Sequence, residues 1–105
     1  MGGARNRRAG HDYERQIAQE LRYLGFEARS AREVDPTLDS AGIDLKTSFP
    51  VAPQIKCMCN TPNIEEILKT AGILFWKKTR KAGTNFMTVG EYVVLKKDVF
   101  YKKFI

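Results

Sequence analysis

The sequence predicts an α/β fold: one domain holding a mixed sheet flanked by helices. Three observations lead there. A helical period runs from about Gly10 to Leu24, with Tyr13, Ile17, Leu21 and Leu24 on one stripe. Apolar runs of strand length follow at Phe26–Ala31, Ile43–Thr47, Gln54–Cys59, Ile73–Trp76 and Phe86–Leu95. A second helical period, Ile64, Ile67, Leu68 and Ala71, separates the third run from the fourth, as a crossover between strands of one sheet would. The expected order is α-β-β-β-α-β-β-α.

Residues 1–9 carry Arg5, Arg7 and Arg8 among glycines and read as a flexible basic arm before a single domain at 10–105. Gly25 gives the first helix a natural stop. Glu33–Ser40 reads as a loop, with Asp35 before Pro36 as a turn former. Pro50 and Pro53 stiffen the link between the second and third strands. Thr61 and Pro62 suit the N-cap and first position of the crossover helix. Lys77–Asn85 reads as a basic turn, and Asp98 as the cap of a last helix that packs Phe100 and Phe104 inward.

The chain has 105 residues, of which 43% are hydrophobic and 29% charged, which suits one modest core in a folded, soluble protein. No run of 18 apolar residues occurs, and the basic N-terminus has no apolar stretch behind it to make a secretory signal. Cys57 and Cys59 are read as reduced thiols, and with His11 as the sole histidine a structural zinc site is not expected. The net charge of +6 is uneven: residues 1–59 hold nine basic and eight acidic side chains, residues 60–105 nine and four. The clusters Arg5, Arg7, Arg8 and Lys77, Lys78, Arg80, Lys81 suit a polyanion, most commonly nucleic acid. Trp76 reads as core rather than as a base-stacking surface.

One stretch concentrates the chemistry. Asp44 lies between the apolar Ile43 and Leu45, and Gln54 and Lys56 follow on one face of the next strand, with Ile55 turned to the core. If the two strands are neighbours, an acid, an amide oxygen and an amine meet. Such a group can hold a divalent cation and bring water to a phosphate. Glu14 borders the inward stripe of the first helix, within roughly 60° of Ile17 and Ala18, where a carboxylate needs a partner.

These pieces form a series: a basic lead, Tyr13-Glu14 in a helix ending Leu24-Gly25-Phe26, then Ala31-Arg32-Glu33, Asp39-Ser-Ala-Gly-Ile-Asp44-Leu and Gln54-Ile-Lys56-Cys57. The series resembles the PD-(D/E)XK nuclease superfamily, and within it the archaeal-type and phage Holliday junction resolvases, over about residues 5–60. The resemblance implies a restriction-endonuclease-like αβββαβ core and a Mg²⁺-dependent endonuclease (Mn²⁺ substituting) that cuts branched DNA as a homodimer in the cytoplasm of a prokaryotic or phage-infected cell. It implies Asp44 as central metal ligand, Gln54 in the place of the usual acid, the Ile55 carbonyl completing the site, Lys56 steering the water and phosphate, and Glu14 holding a second metal or a bound water. Arg32 would contact phosphate and Asp39 support the site. DNA contacts would come from Arg5, Arg7, Arg8, Arg32, Lys77, Lys78, Arg80 and Lys81. A non-catalytic DNA-binding protein on the same fold is the alternative, favoured by the uncharged Gln54.

Overall fold

The computed structural model describes the backbone of residues 2–105 and side chains from Arg7 onward. The elements in chain order are α1 (Gly2–Tyr23), β1 (Ala28–Ser30), α2 (Ala31–Val34), α3 (Pro36–Ser40), β2 (Leu45–Thr47), β3 (Pro53–Met58), α4 (Ile64–Ile67), β4 (Ile73–Ala82), β5 (Asn85–Val94) and α5 (Lys97–Phe104). The fold is mixed α/β, with helices on a mixed sheet, and among the described residues no helix is long and apolar enough to cross a membrane.

The strands form two sheets. β1 and β2 make an antiparallel ribbon, while β3, β4 and β5 lie side by side, β3 parallel and β5 antiparallel to the central β4. The expected strand pairing of 43–47 with 54–59 is therefore reduced to one junction. Pro53 has no N–H to give a neighbour. The Ile55 N–H is taken by the Asp44 carboxylate instead of a backbone carbonyl.

Apolar side chains fill both sides of the larger sheet. Tyr13, Ile17, Ala18 and Leu21 of α1 pack with Ala28, Leu45 and Ile55. On the opposite face Ile67, Ala71, Leu74, Trp76 and Ile43 form a second cluster, with Leu38, Met58 and Val94 against it. Trp76 is core, 8% exposed.

Several boundaries differ from the sequence reading. α1 begins at Gly2, so residues 2–9, expected as an arm, belong to the helix. Leu24 lies past the end of α1 and is 67% exposed, because the stripe stops paying inward once the helix ends. The loop at 33–40 is two short helices. Asp35 caps the second of them by accepting from the Leu38 N–H at 3.3 Å. α4 starts later than Thr61, since the Asn63 side chain caps it through the Glu66 N–H at 3.2 Å. Phe100 and Phe104 stay substantially exposed, although the Phe104 ring meets Phe49 at 5.6 Å.

The largest difference is at 77–85, which is strand rather than turn. Pairing across the hairpin overrides the low strand preference of a charged run, and only Gly83–Thr84 remains as a two-residue loop. Gly83 has φ +65°, the conformation a tight hairpin turn needs at its first central position.

Gly72 is required for a different reason. A Cβ there would stand 2.7 Å from Val51 Cβ and 3.1 Å from its Cγ1, and Val51 is buried. Gly72→Ala is expected to destabilise the fold by about 1–3 kcal/mol through overpacking, read as a lower melting temperature. An unchanged midpoint would mean that the Val51 segment retreats without cost.

Candidate active site

Asp44 is fixed by three bonds. Its N–H donates to Pro53 O at 3.0 Å, its carbonyl accepts from the Ala31 N–H at 3.0 Å, and its Oδ2 accepts from the Ile55 N–H at 2.6 Å. It joins the β1–β2 ribbon to the free edge of β3. Its neighbours Ile43 and Leu45 enter opposite core clusters, so Asp44 sits at the seam between them. In an extended strand a residue's N–H and C=O point to the same edge. The Ile55 carbonyl therefore faces the edge at which Asp44 stands.

The charges of Glu14 and Asp39 both bear on Asp44 at this edge. Burial pushes the Asp44 carboxyl up to about 6. The Ile55 N–H opposes that shift, the Glu14 charge adds to it, Lys56 lowers it and Asp39 raises it. Glu14, on α1, is also held above the ordinary carboxylate range by burial. The Arg32 guanidinium, 3.5 Å away, works against the shift, and Asp39 adds to it. The Glu14 side chain is 15% exposed and Arg32 42%. Desolvation and like-charge repulsion thus outweigh the nearby cations, leaving a hollow that favours added positive charge.

The residues singled out in the sequence fall into three groups. The charges of Glu14, Lys56 and Asp39 bear on Asp44, that of Asp39 bears also on Glu14, and Arg32 pairs with Glu14 instead of standing free for phosphate. Gln54 shares the sheet face of Lys56, and its Oε1 lies 3.7 Å from where a Cβ on Gly42 would be. Among the described residues no hydrogen bond links it to Asp44. The basic cluster at 77–81 is divided by strand alternation. Lys77 lies opposite Glu91 with its ammonium 5.5 Å from the buried Tyr13 ring, so it is engaged beneath α1, whereas the Lys78 ammonium lies 5.7 Å from the Trp76 ring on the other face. Arg80 and Lys81 are exposed further along β4, and Arg7 and Arg8 on α1. The side chain of Arg5 lies outside the described residues.

Sequence reasoning missed the open groove of about 860 Å³ that starts at Lys56 and runs past Cys57, Cys59, Thr79 and Phe86. No signal in the sequence marks it, because it forms between the end of β3 and the far half of a hairpin expected to be a turn.

Among the described residues no three His, Cys, Asp or Glu side chains converge as a metal cage. Mg²⁺ does not need one: it keeps several waters and binds through one or two carboxylates plus substrate phosphates. Asp44 and Glu14, both held above their ordinary pKa range, suit that mode.

The shift of Asp44 has a stability consequence. Its pKa in the fold lies above its ordinary 3.8. The stability favoured by the protonated form is complete below about 3.8 and is lost as pH rises through about 6. The ceiling on that loss is about 3 kcal/mol, reduced by water reaching the hollow. Asp44→Asn keeps an oxygen for the Ile55 N–H and removes the charge. In EDTA it is expected to melt above the parent at pH 7.5, by several degrees at about 4–8 °C per kcal/mol, with the gap closing by pH 4. A gap independent of pH would show that Asp44 carries no such penalty.

Comparison with protein-family models, with curated proteins and with solved structures finds no match to this chain.

Proposed function

We propose that this protein is a divalent-cation-dependent endonuclease that hydrolyses phosphodiester bonds in DNA. The observation that carries the reading is the Asp44 carboxylate, raised by burial and by Glu14 and lowered by Lys56, at the free edge of β3. Two further features support it. The order α1-β1-α2-α3-β2-β3-α4-β4 is compatible with the αβββαβ series of the PD-(D/E)XK nucleases if α2 and α3, which are no shorter than α4, are taken as insertions, and β3 and β4 are parallel across the α4 crossover. Among the described residues Lys78 and Arg80 on β4 have no carboxylate in ion-pair range.

Asp44 and Glu14 would hold Mg²⁺, with the Ile55 carbonyl and the Gln54 oxygen as neutral donors. Bound there, the cation supplies Lewis-acid stabilisation of the phosphate and lowers the pKa of a water. Lys56 holds the phosphate oxygen and orients the water by hydrogen bonding, as its position two residues beyond Gln54 on one strand face allows. Arg32 pairs with Glu14 at 3.5 Å and opposes the burial that favours its protonated form. The structure-selective, junction-cutting mode and the homodimer follow as part of the same proposal, since two copies would offer two hollows to two symmetric strands.

A second reading, DNA binding without cleavage, is favoured by one observation: Gln54 adds no charge and makes no hydrogen bond to Asp44 among the described residues.

The test incubates the purified protein with a four-way junction or a linear duplex, in Mg²⁺ and in Mn²⁺. Cleavage is expected for the parent. Lys56→Ala and Asp44→Ala should each lose on the order of 10²-fold or more in rate while still binding DNA. Binding without cleavage in either metal would leave the second reading. Independently of activity, Mg²⁺ is expected to raise the melting temperature of the parent at pH 7.5 but not that of Asp44→Asn. Equal shifts in both would remove Asp44 from the cation site.

A further inference from the structure

A row of side chains crosses the sheet face that carries Lys56. Lys56 is in register with Trp76 on β4, and Trp76 with Tyr92 on β5. The Trp76 and Tyr92 rings are 5.8 Å apart. One step along, Lys78 pairs with Gly90, and the Lys78 ammonium lies over the Trp76 ring. Two residues on, past a register shift between Lys78 and Thr79, Arg80 pairs with Met87 and contacts its Sδ at 3.7 Å.

The pose of Tyr92 is unusual. A Cβ at Gly90 would stand 2.8 Å from the Tyr92 Oη, 3.0 Å from Cζ and 3.1 Å from Cε2. The phenol ring therefore lies back over Gly90, along its own strand. Gly90 is not among the glycines with positive φ, so the backbone does not require glycine there. What its missing side chain provides is room for the ring. Trp76, the cross-strand neighbour of Tyr92, is 8% exposed. Tyr92 remains 48% exposed.

We infer that Tyr92, seated over Gly90, is a stacking platform for an unpaired DNA base, with Lys78 and Arg80 holding the flanking phosphates. An aromatic face stacks on any base, and cations beside it track the backbone. Charge complementarity favours this occupant over another protein. Among the described residues Lys56, Lys78 and Arg80 have no carboxylate in ion-pair range, whereas Arg15, Arg32, Lys46 and Lys69 do. The platform lies two strands from Lys56, roughly 10 Å at the usual strand spacing. That is about three phosphate steps of a stacked strand at about 3.4 Å each. The inference rests on the nuclease reading for its purpose: it makes the preferred substrate one with an unpaired or splayed nucleotide a few steps from the cut, as at a branch point. The binding itself does not require cleavage.

The test measures anisotropy of a labelled oligo-dT strand and of a blunt duplex of equal length, with the full chain in EDTA, so that no cleavage intervenes. Tyr92→Ala is expected to weaken oligo-dT binding by about 5- to 100-fold, with the duplex changed by less than about twofold. Tyr92→Phe should bind oligo-dT like the parent. Gly90→Ala, which displaces the ring but leaves the tyrosine, should weaken oligo-dT in the same direction. Lys78→Ala should reduce the salt dependence by about one phosphate contact. Circular dichroism checks that each variant folds. Equal weakening of strand and duplex by Tyr92→Ala, or no weakening of either, overturns the platform. The two proposals fail separately. A protein that never cleaves but shows the Tyr92-dependent strand binding keeps the platform and loses the nuclease. One that cleaves while Tyr92→Ala binds oligo-dT like the parent does the reverse.

Discussion

The molecule depends on the hydrogen bond from the Ile55 N–H to the Asp44 carboxylate. This bond and the bond from the Asp44 N–H to Pro53 O are where the β1–β2 ribbon meets the larger sheet. A hydrogen bond to a charged group contributes about 1.5–3 kcal/mol, yet burial still raises the Asp44 pKa. Desolvation wins, and one residue both joins the two sheets and carries an unfavourable charge. Since Ile43 and Leu45 are anchored in separate clusters, Asp44 cannot swing out to water without disturbing both.

The hollow around it is a place where stability and chemistry pull apart. Glu14 arrives from α1, Asp39 from α3 and Lys56 from β3, so the charges come from three elements whose packing holds them together. Among the described residues only Arg32 makes a direct ion pair there, and it serves Glu14. A chain selected for folding alone would neutralise such a cluster or turn it outward. At a seam of the fold such a cluster costs stability.

The long hairpin explains how one basic run can do two things. Strand alternation sends Lys77 under α1, beside Tyr13 and Glu91, where burial and that carboxylate hold the Tyr13 phenol well above its ordinary pKa. Lys78 goes to the other face, with Trp76. Counting the run as one patch would overstate the charge open to a polyanion. What counts is the subset that shares a face with Lys56.

The sequence by itself determined the mixed α/β class, the inward stripe of Tyr13, Ile17 and Leu21, the buried Trp76, and the position of Asp44 between two core residues. These follow from apolar periodicity, which is local. It also named Asp44, Glu14, Gln54 and Lys56 as the residues to watch, because a polar group beside an inward-facing residue is visible in the chain order; Asp39 entered only through the resemblance. Only the tertiary structure decided that the β2 and β3 segments meet through the single residue Asp44 rather than a ladder, that residues 77–82 are strand, that Arg32 pairs with Glu14, and that Tyr92 lies over Gly90. Each of those depends on a partner far away in the chain, and local propensity carries no information about which distant group will take a given N–H, charge or ring.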